Sequence, residues 1–390
     1  MNLRHKLVTS TENFIQIGQL LGDIRPVFSK VLHGFSYKLE SSRTIVYSNN
    51  FQRKLQNIND KTIYVNTVLK YLKNHLDDRY EPFLTKFTSL NIVHRILEKH
   101  KIIDDIRISY GTNRIIFKLY RESAYNYMDI IIKCVKVLSL LEFIKKTHQI
   151  INIYYAPVNL PKQFPQSSLF TIDNVNSGVT THINNIAYIT LFRREESDKV
   201  LLHELIHYLK LDFAMSPVYD KLQTKINNDI IAQFNITPTC KYINVFEAYT
   251  DSIAIIFNSV FNSILTKTNI NDYFYTELLY ISSIANKILK HSGFNTPLDI
   301  TDMTSSISLD QSTSVFSYYI LKYGILYNSD IILQQFFPLY NINWSKENII
   351  DIVTMSFSGL KLITDYNMTF SNSMQMTHNS LVYQYNQLLI

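Results

Sequence analysis

Residues 196–211 read Glu196-Ser197-Asp198-Lys199-Val200-Leu201-Leu202-His203-Glu204-Leu205-Ile206-His207-Tyr208-Leu209-Lys210-Leu211. Val200, Leu201, Leu202, Leu205, Ile206, Leu209 and Leu211 leave almost no polar face, so the pattern predicts a helix buried nearly all round. His203, Glu204 and His207 nevertheless sit in its middle. Burying polar side chains without partners costs about 1–3 kcal/mol each, so something must offset that cost. His203 and His207 stand at i and i+4 and project from one helix face, one turn apart. Two imidazoles at that spacing can bind one metal ion, with Glu204 beside them. The competing reading is a pair of satisfied core histidines with a surface glutamate.

This is the His-Glu-x-x-His pattern of zinc hydrolases, and it requires a third protein ligand. Downstream, Asn244-Val245-Phe246-Glu247-Ala248-Tyr249-Thr250-Asp251-Ser252-Ile253-Ala254 predicts a second helix. Glu247 and Asp251 are again four apart, so two carboxylates share one otherwise apolar face. Like charges there repel unless they serve a cation and its ligands. Glu247 is therefore the expected third ligand, and Asp251 the expected acceptor for the N–H of a ligand histidine, fixing its tautomer. A solvated acidic face is the alternative, weakened by the apolar run Ile253 to Phe257.

His203-Glu204-x-x-His207 followed by Glu247-x-x-x-Asp251 resembles the gluzincin branch of zinc metallopeptidases, the thermolysin and neprilysin type. The resemblance implies one zinc ion per chain, held by His203, His207 and Glu247, and peptide-bond hydrolysis with Glu204 as general base. It implies an edge strand for an extended substrate, expected at Ile186–Phe192. It also implies a Tyr or His from the helical lobe that stabilises the oxyanion. Tyr318, Tyr319, Tyr323, His291 and His378 are the choices, with Tyr318 or Tyr319 on the helix from Ser314 preferred and Tyr319 taken as the expected one. Phe246 departs from the Asn that precedes the Glu in thermolysin-like enzymes, which removes assignment to that family. A second likeness, to zincin-like proteins of large DNA viruses, rests on Asn174-Val175-Asn176-Ser177-Gly178, Arg193-Arg194-Glu195-Glu196 and Val200 to Glu204. It spans roughly residues 150 to 260, with weaker hints at Thr313 to Lys322 and Met374 to Thr377.

Working outward, Ile106 to Tyr110 alternates, Gly111-Thr112-Asn113 gives a turn, and Arg114 to Tyr120 continues as a second strand, predicting a hairpin. Ser123 to Lys146 predicts a long helix; Ile151 to Tyr155 and Ile186 to Phe192 predict strands. Everything after Glu195 predicts helix. Before Lys101 the segments Phe14 to Leu32 (broken near Pro26), Thr62 to Leu76 and Ile92 to His100 have helical spacing. The expected architecture is α+β: a helical N-terminal region, residues 1–100, then a zincin-like domain, 101–390. That domain divides into a small mixed sheet with the active helix (101–212) and a helical lobe (213–390).

The 390 residues are 46% hydrophobic, which excludes general disorder, and the 8 Gly and 9 Pro exclude collagen- or linker-like chains. Two distant cysteines, Cys134 and Cys240, make no disulfide framework and favour a reducing compartment. The net charge of +6 is spread over scattered Lys and Arg, so nucleic acid is not the expected partner. With no signal-like start and no apolar span, an intracellular location without membrane contact is expected, in host cytoplasm or virion if viral. Arg193 and Arg194 are expected as strand-end charges, Glu195 and Glu196 as favourable charges at the helix start, and Gly178 as a turn residue. His291, before Ser292-Gly293, is expected at a helix C-terminus. The other histidines (His5, His33, His75, His94, His100, His148, His182) show no metal spacing. The expected activity is thus a zinc peptidase acting on peptide or protein. Its rivals are a catalytically silent zincin-fold virion or scaffold protein and a basic nucleic-acid-associated protein.

Overall fold

The computed structural model describes residues 15–74, 78–183, 186–212, 243–296, 299, 307, 309–336, 346–358, 360 and 374. His5, His75, Cys240, His378 and residues 375–377 lie outside the described residues. The architecture is mixed α+β, built on a six-stranded mixed sheet. Its strands are β1 (Ser36–Thr44), β2 (Ile102–Tyr110), β3 (Asn113–Arg121), β4 (Ile150–Tyr155), β5 (Gly178–Ile183) and β6 (Ile186–Leu191), in the order β1-β2-β3-β4-β6-β5. β1, β2 and β3 pair antiparallel, β3, β4 and β6 pair parallel, and β5 folds back antiparallel on β6.

The hairpin β2–β3 closes where Tyr110 pairs with Asn113. Gly111, at φ +55°, adopts the left-handed conformation that a two-residue loop demands. After β3 the chain needs a crossover to place β4 parallel, and α5 (Tyr127–Phe143) supplies it. Asn126 caps that helix, its side chain accepting from the Met128 N–H. Residues Ile130 and Ile132 to Leu141 of α5 are all buried, Lys133 and Lys136 included, which accounts for its apolar reading. No described helix is long and apolar enough to cross a membrane.

Contacts group the chain into two compact units. The first comprises residues 27–161 and 176–208 and contains the whole sheet. Helices α2 (Asn49–Gln56), α3 (Lys61–Asn74) and α4 (Leu90–Lys99) belong to it, as does α7 (Ser197–Tyr208). One core cluster joins Tyr47, Val68, Ile96 and Leu97 to Ile103, Tyr120, Val158 and Phe192. Residues before 100 and the strands after it thus share a core, and β1, absent from the sequence reading, pairs with β2 across eight positions. β1 escaped notice because Ser-Tyr-Lys-Leu-Glu-Ser-Ser-Arg-Thr is exposed at every position and carries no alternation.

The second unit comprises residues 1–26, 162–175 and 209–390. Among its described residues the elements are helical: the short α6 (Ile172–Val175), α8 (Val245–Thr266), α9 (Ile270–His291), a π-helical turn (Phe316–Leu321) running into α10 (Lys322–Tyr327), α11 (Ser329–Phe336) and α12 (Lys346–Phe357). α1 (Ile15–Gly34) is continuous through Pro26, where a break was expected. Ile17, Leu20, Ile24, Phe28 and Val31 are all buried. Packing of that unbroken apolar face outweighs the hydrogen bond that proline removes, a cost of about 3 kcal/mol.

Candidate metal centre

The active-site candidate begins with how α7 is held. Glu196 enters it at φ +50°, and the Val200 N–H bonds back to the Glu196 carbonyl at 3.0 Å. Asp198, in the first turn, is buried between Lys133 and Lys136 of α5, at 2.6 and 2.5 Å. Burial by itself would raise the Asp198 carboxyl, but the two ammonium groups outweigh it and hold the carboxyl well below the usual range. Burial likewise opposes the charge on Lys133, yet Asp129 and Asp198 together raise it; for Lys136, burial wins and its pKa falls. Neither lysine was singled out in the sequence. Their pairing with Asp198 crosses at least 62 positions and has no local signal.

Gly178 is not at a positive φ, so its role differs from the expected turn. A Cβ there would lie 2.6 Å from Val200 Cγ1, so glycine lets β5 start against α7. The edge of the sheet also differs from expectation. β6 lies between β4 and β5, and β5 is the edge, because the chain turns back after Ile183 and pairs Gly178–Ile183 onto Ile186–Leu191.

α7 is buried as its pattern predicts, with His203 5% and Glu204 6% exposed. The buried Glu204 removes the surface-glutamate alternative. The Nε2 atoms of His203 and His207 lie 3.0 Å apart with the rings edge to face. Thr180 of β5 brings its Oγ1 to 2.9 Å from both the Glu204 carbonyl and Glu204 Oε2. The edge strand therefore steadies the carboxylate directly, a contact that sequence reasoning missed.

On α8, Glu247 and Asp251 share a face as expected. Tyr318 Oη donates to Glu247 Oε2 at 2.8 Å, and Lys322 Nζ donates to Asp251 Oδ2 at 2.8 Å. Asp251 was expected to serve a histidine N–H; the cation the structure sets against it is Lys322, a residue not singled out in the sequence. Tyr319 is 1% exposed and donates to the Met374 carbonyl at 2.6 Å, with the Lys322 ammonium over its ring. Of the two neighbouring tyrosines, it is Tyr318 whose hydroxyl meets a site carboxylate. Successive residues point to different sides of a helix, so one position decides the matter.

On α7 the two imidazole nitrogens of His203 and His207 stand side by side, with the buried Glu204 next to them, while Glu247 belongs to α8 of the other unit. Two imidazole nitrogens and a carboxylate oxygen are the donor set that suits zinc. A tetrahedral shell with bonds of about 2.0–2.1 Å sets its nitrogens about 3.3 Å apart, close to the separation of the two Nε2 atoms. The spacing of the two imidazole nitrogens fits the ion.

The remaining candidates take structural places. Arg193 is 3% exposed; its guanidinium donates to the Asn176 carbonyl at 2.9 Å and to that of Leu160, so it staples two loops. His291 ends α9 and its Nε2 lies 3.0 Å from the Ser167 carbonyl, with Phe164 and Phe170 beside the ring. Cys134 is buried, which pushes its thiol up and makes it a poor thiolate.

No protein-family model matches the chain, and no solved structure matches it. Over 218 residues the chain is 23% identical to an uncharacterized protein of Acanthamoeba polyphaga mimivirus, covering 52% of this chain and 53% of that protein. The chain spans about half the length of this curated relative. The similarity is thus distant and partial, and what it relates the chain to is a viral protein.

Proposed function

We propose that the protein is a zinc-dependent metallopeptidase with a zincin-like fold. The observation that carries this reading is the pair of imidazoles on α7, His203 and His207, with Nε2 atoms 3.0 Å apart beside a buried glutamate on the same helix; Glu247 is the proposed third ligand. Zinc, when held by these three residues, supplies a Lewis acid that polarises a carbonyl and makes water nucleophilic near neutral pH. The chain's own groups do the rest. Thr180 fixes Glu204 Oε2 by hydrogen bonding. Glu204 Oε1 is the atom assigned to take a proton from the attacking water and return it to the leaving amine. Tyr318 donates its one hydroxyl proton to Glu247 Oε2 and so holds the proposed ligand carboxylate, in place of the oxyanion role expected of Tyr319. Asp251, with Lys322, supports the helix that carries Glu247. The proposed substrate is a peptide or protein.

The test is metal content by elemental mass spectrometry, followed by a peptide-library cleavage screen. The expected result is one zinc per chain, lost in His203→Ala and markedly reduced in Glu247→Ala. Glu204→Gln should keep the zinc and lose cleavage by on the order of a hundredfold or more. No metal after zinc is offered would sink the reading. Zinc retained with no cleavage of any library member would instead favour a silent zincin-fold protein.

A further inference from the structure

Two carboxylates on one buried helix face repel each other, yet Glu247 and Asp251 are four residues apart on α8. The facing segment answers with a matching spacing. Tyr318 and Lys322 are also four apart, and each reaches one carboxylate at 2.8 Å. The segment between them is π-helical, Phe316–Leu321, and such turns are rare and concentrate at functional sites. Tyr318 lies in this π turn and Lys322 directly follows it.

The second of these two pairs is the unusual one. The side chains of Lys322 and Asp251 are 0% and 1% exposed. A buried ion pair contributes little net stability, because desolvation of both charges offsets their attraction, and an apolar pair of the same volume would pack as well. Stability by itself therefore does not account for it. What the ammonium does locally is set one positive charge against two negative ones, a single turn from Glu247.

We infer that Lys322 is a positioning residue for Glu247. By neutralising Asp251 and fixing the rotation of α8, it allows the Glu247 carboxylate to be presented to the site before any ion arrives, with Tyr318 holding Oε2. This rests on the metal-site reading above.

The experiment compares the full chain with Lys322→Met in three measurements: thermal stability in chelator, zinc affinity by chelator competition, and the visible absorption of the cobalt-loaded protein. A positioning role predicts a folded variant whose zinc affinity falls by about 10–100-fold, with an altered cobalt spectrum. Equal zinc affinity and an unchanged spectrum would overturn the inference, whatever happens to the melting temperature. If Lys322→Met does not fold, the double variant Lys322→Met with Asp251→Asn buries no lone charge and is held to the same criterion. A wild-type chain that binds neither zinc nor cobalt would overturn the metal reading and this inference together. Failure of the inference by itself is recognised by a wild-type chain that does bind.

Discussion

At the scale of single residues, the proposed site separates side chains assigned as ligands from those that steady them. Thr180 is of the second kind. Its hydroxyl carries one proton and sits 2.9 Å from two oxygens of Glu204, so it limits the carboxylate's rotation. Thr180→Val keeps the shape and the strand propensity while deleting the hydroxyl. The expected outcome is zinc content equal to wild type and kcat reduced by on the order of tenfold, with Thr180→Ser restoring most of it. Unchanged kcat in the valine variant would remove Thr180 from the mechanism. The proposed ligand residues were legible in sequence as one helix face, because a fixed helical spacing converts i and i+4 into neighbours. Thr180 was not, since its partner lies 24 positions away on another element.

At the scale of elements, α7 is anchored by its first turn. Asp198 meets two buried ammonium groups of α5, and its carboxyl is held well below an unfolded value near 3.9. A depressed carboxylate pKa adds stability that is fully present above the unfolded pKa and is lost as pH falls toward the folded one. The stability gap between wild type and Asp198→Asn, measured by urea unfolding, should be about 3–5 kcal/mol at pH 7 and shrink below pH about 4. A gap that stays constant from neutral pH to pH 2 would contradict the assignment. The strand–helix–strand order of this region followed from alternation and apolar runs. That β5 and not β6 forms the sheet edge did not, because edge position depends on which strand folds back on which.

At the scale of the whole molecule, the first hundred residues matter most. The sequence reading set them apart as a helical region of their own, residues 1–100. Within them, residues 45–97 share a core with Ile103, Tyr120, Val158 and Phe192, and β1 forms one edge of the sheet. A chain beginning at Lys101 would expose that core, so it is expected to be insoluble or to lose its cooperative thermal transition. A soluble truncated chain with the full-length melting temperature would show that the segment is dispensable.

The sequence by itself determined the helix that bears His203, Glu204 and His207, the carboxylate pair Glu247 and Asp251, the hairpin and the α+β class. All of these are written in short-range periodicity, where residues within a few positions of one another set the geometry. Only the tertiary structure decided that Lys322 faces Asp251, that Tyr318 and not Tyr319 meets Glu247, that Lys133 and Lys136 hold Asp198, and that β1 completes the sheet. Each of these pairings joins groups at least 55 positions apart in the chain. No local pattern encodes them: the partner is selected by which buried charge or hydroxyl would otherwise go unsatisfied once the elements have packed.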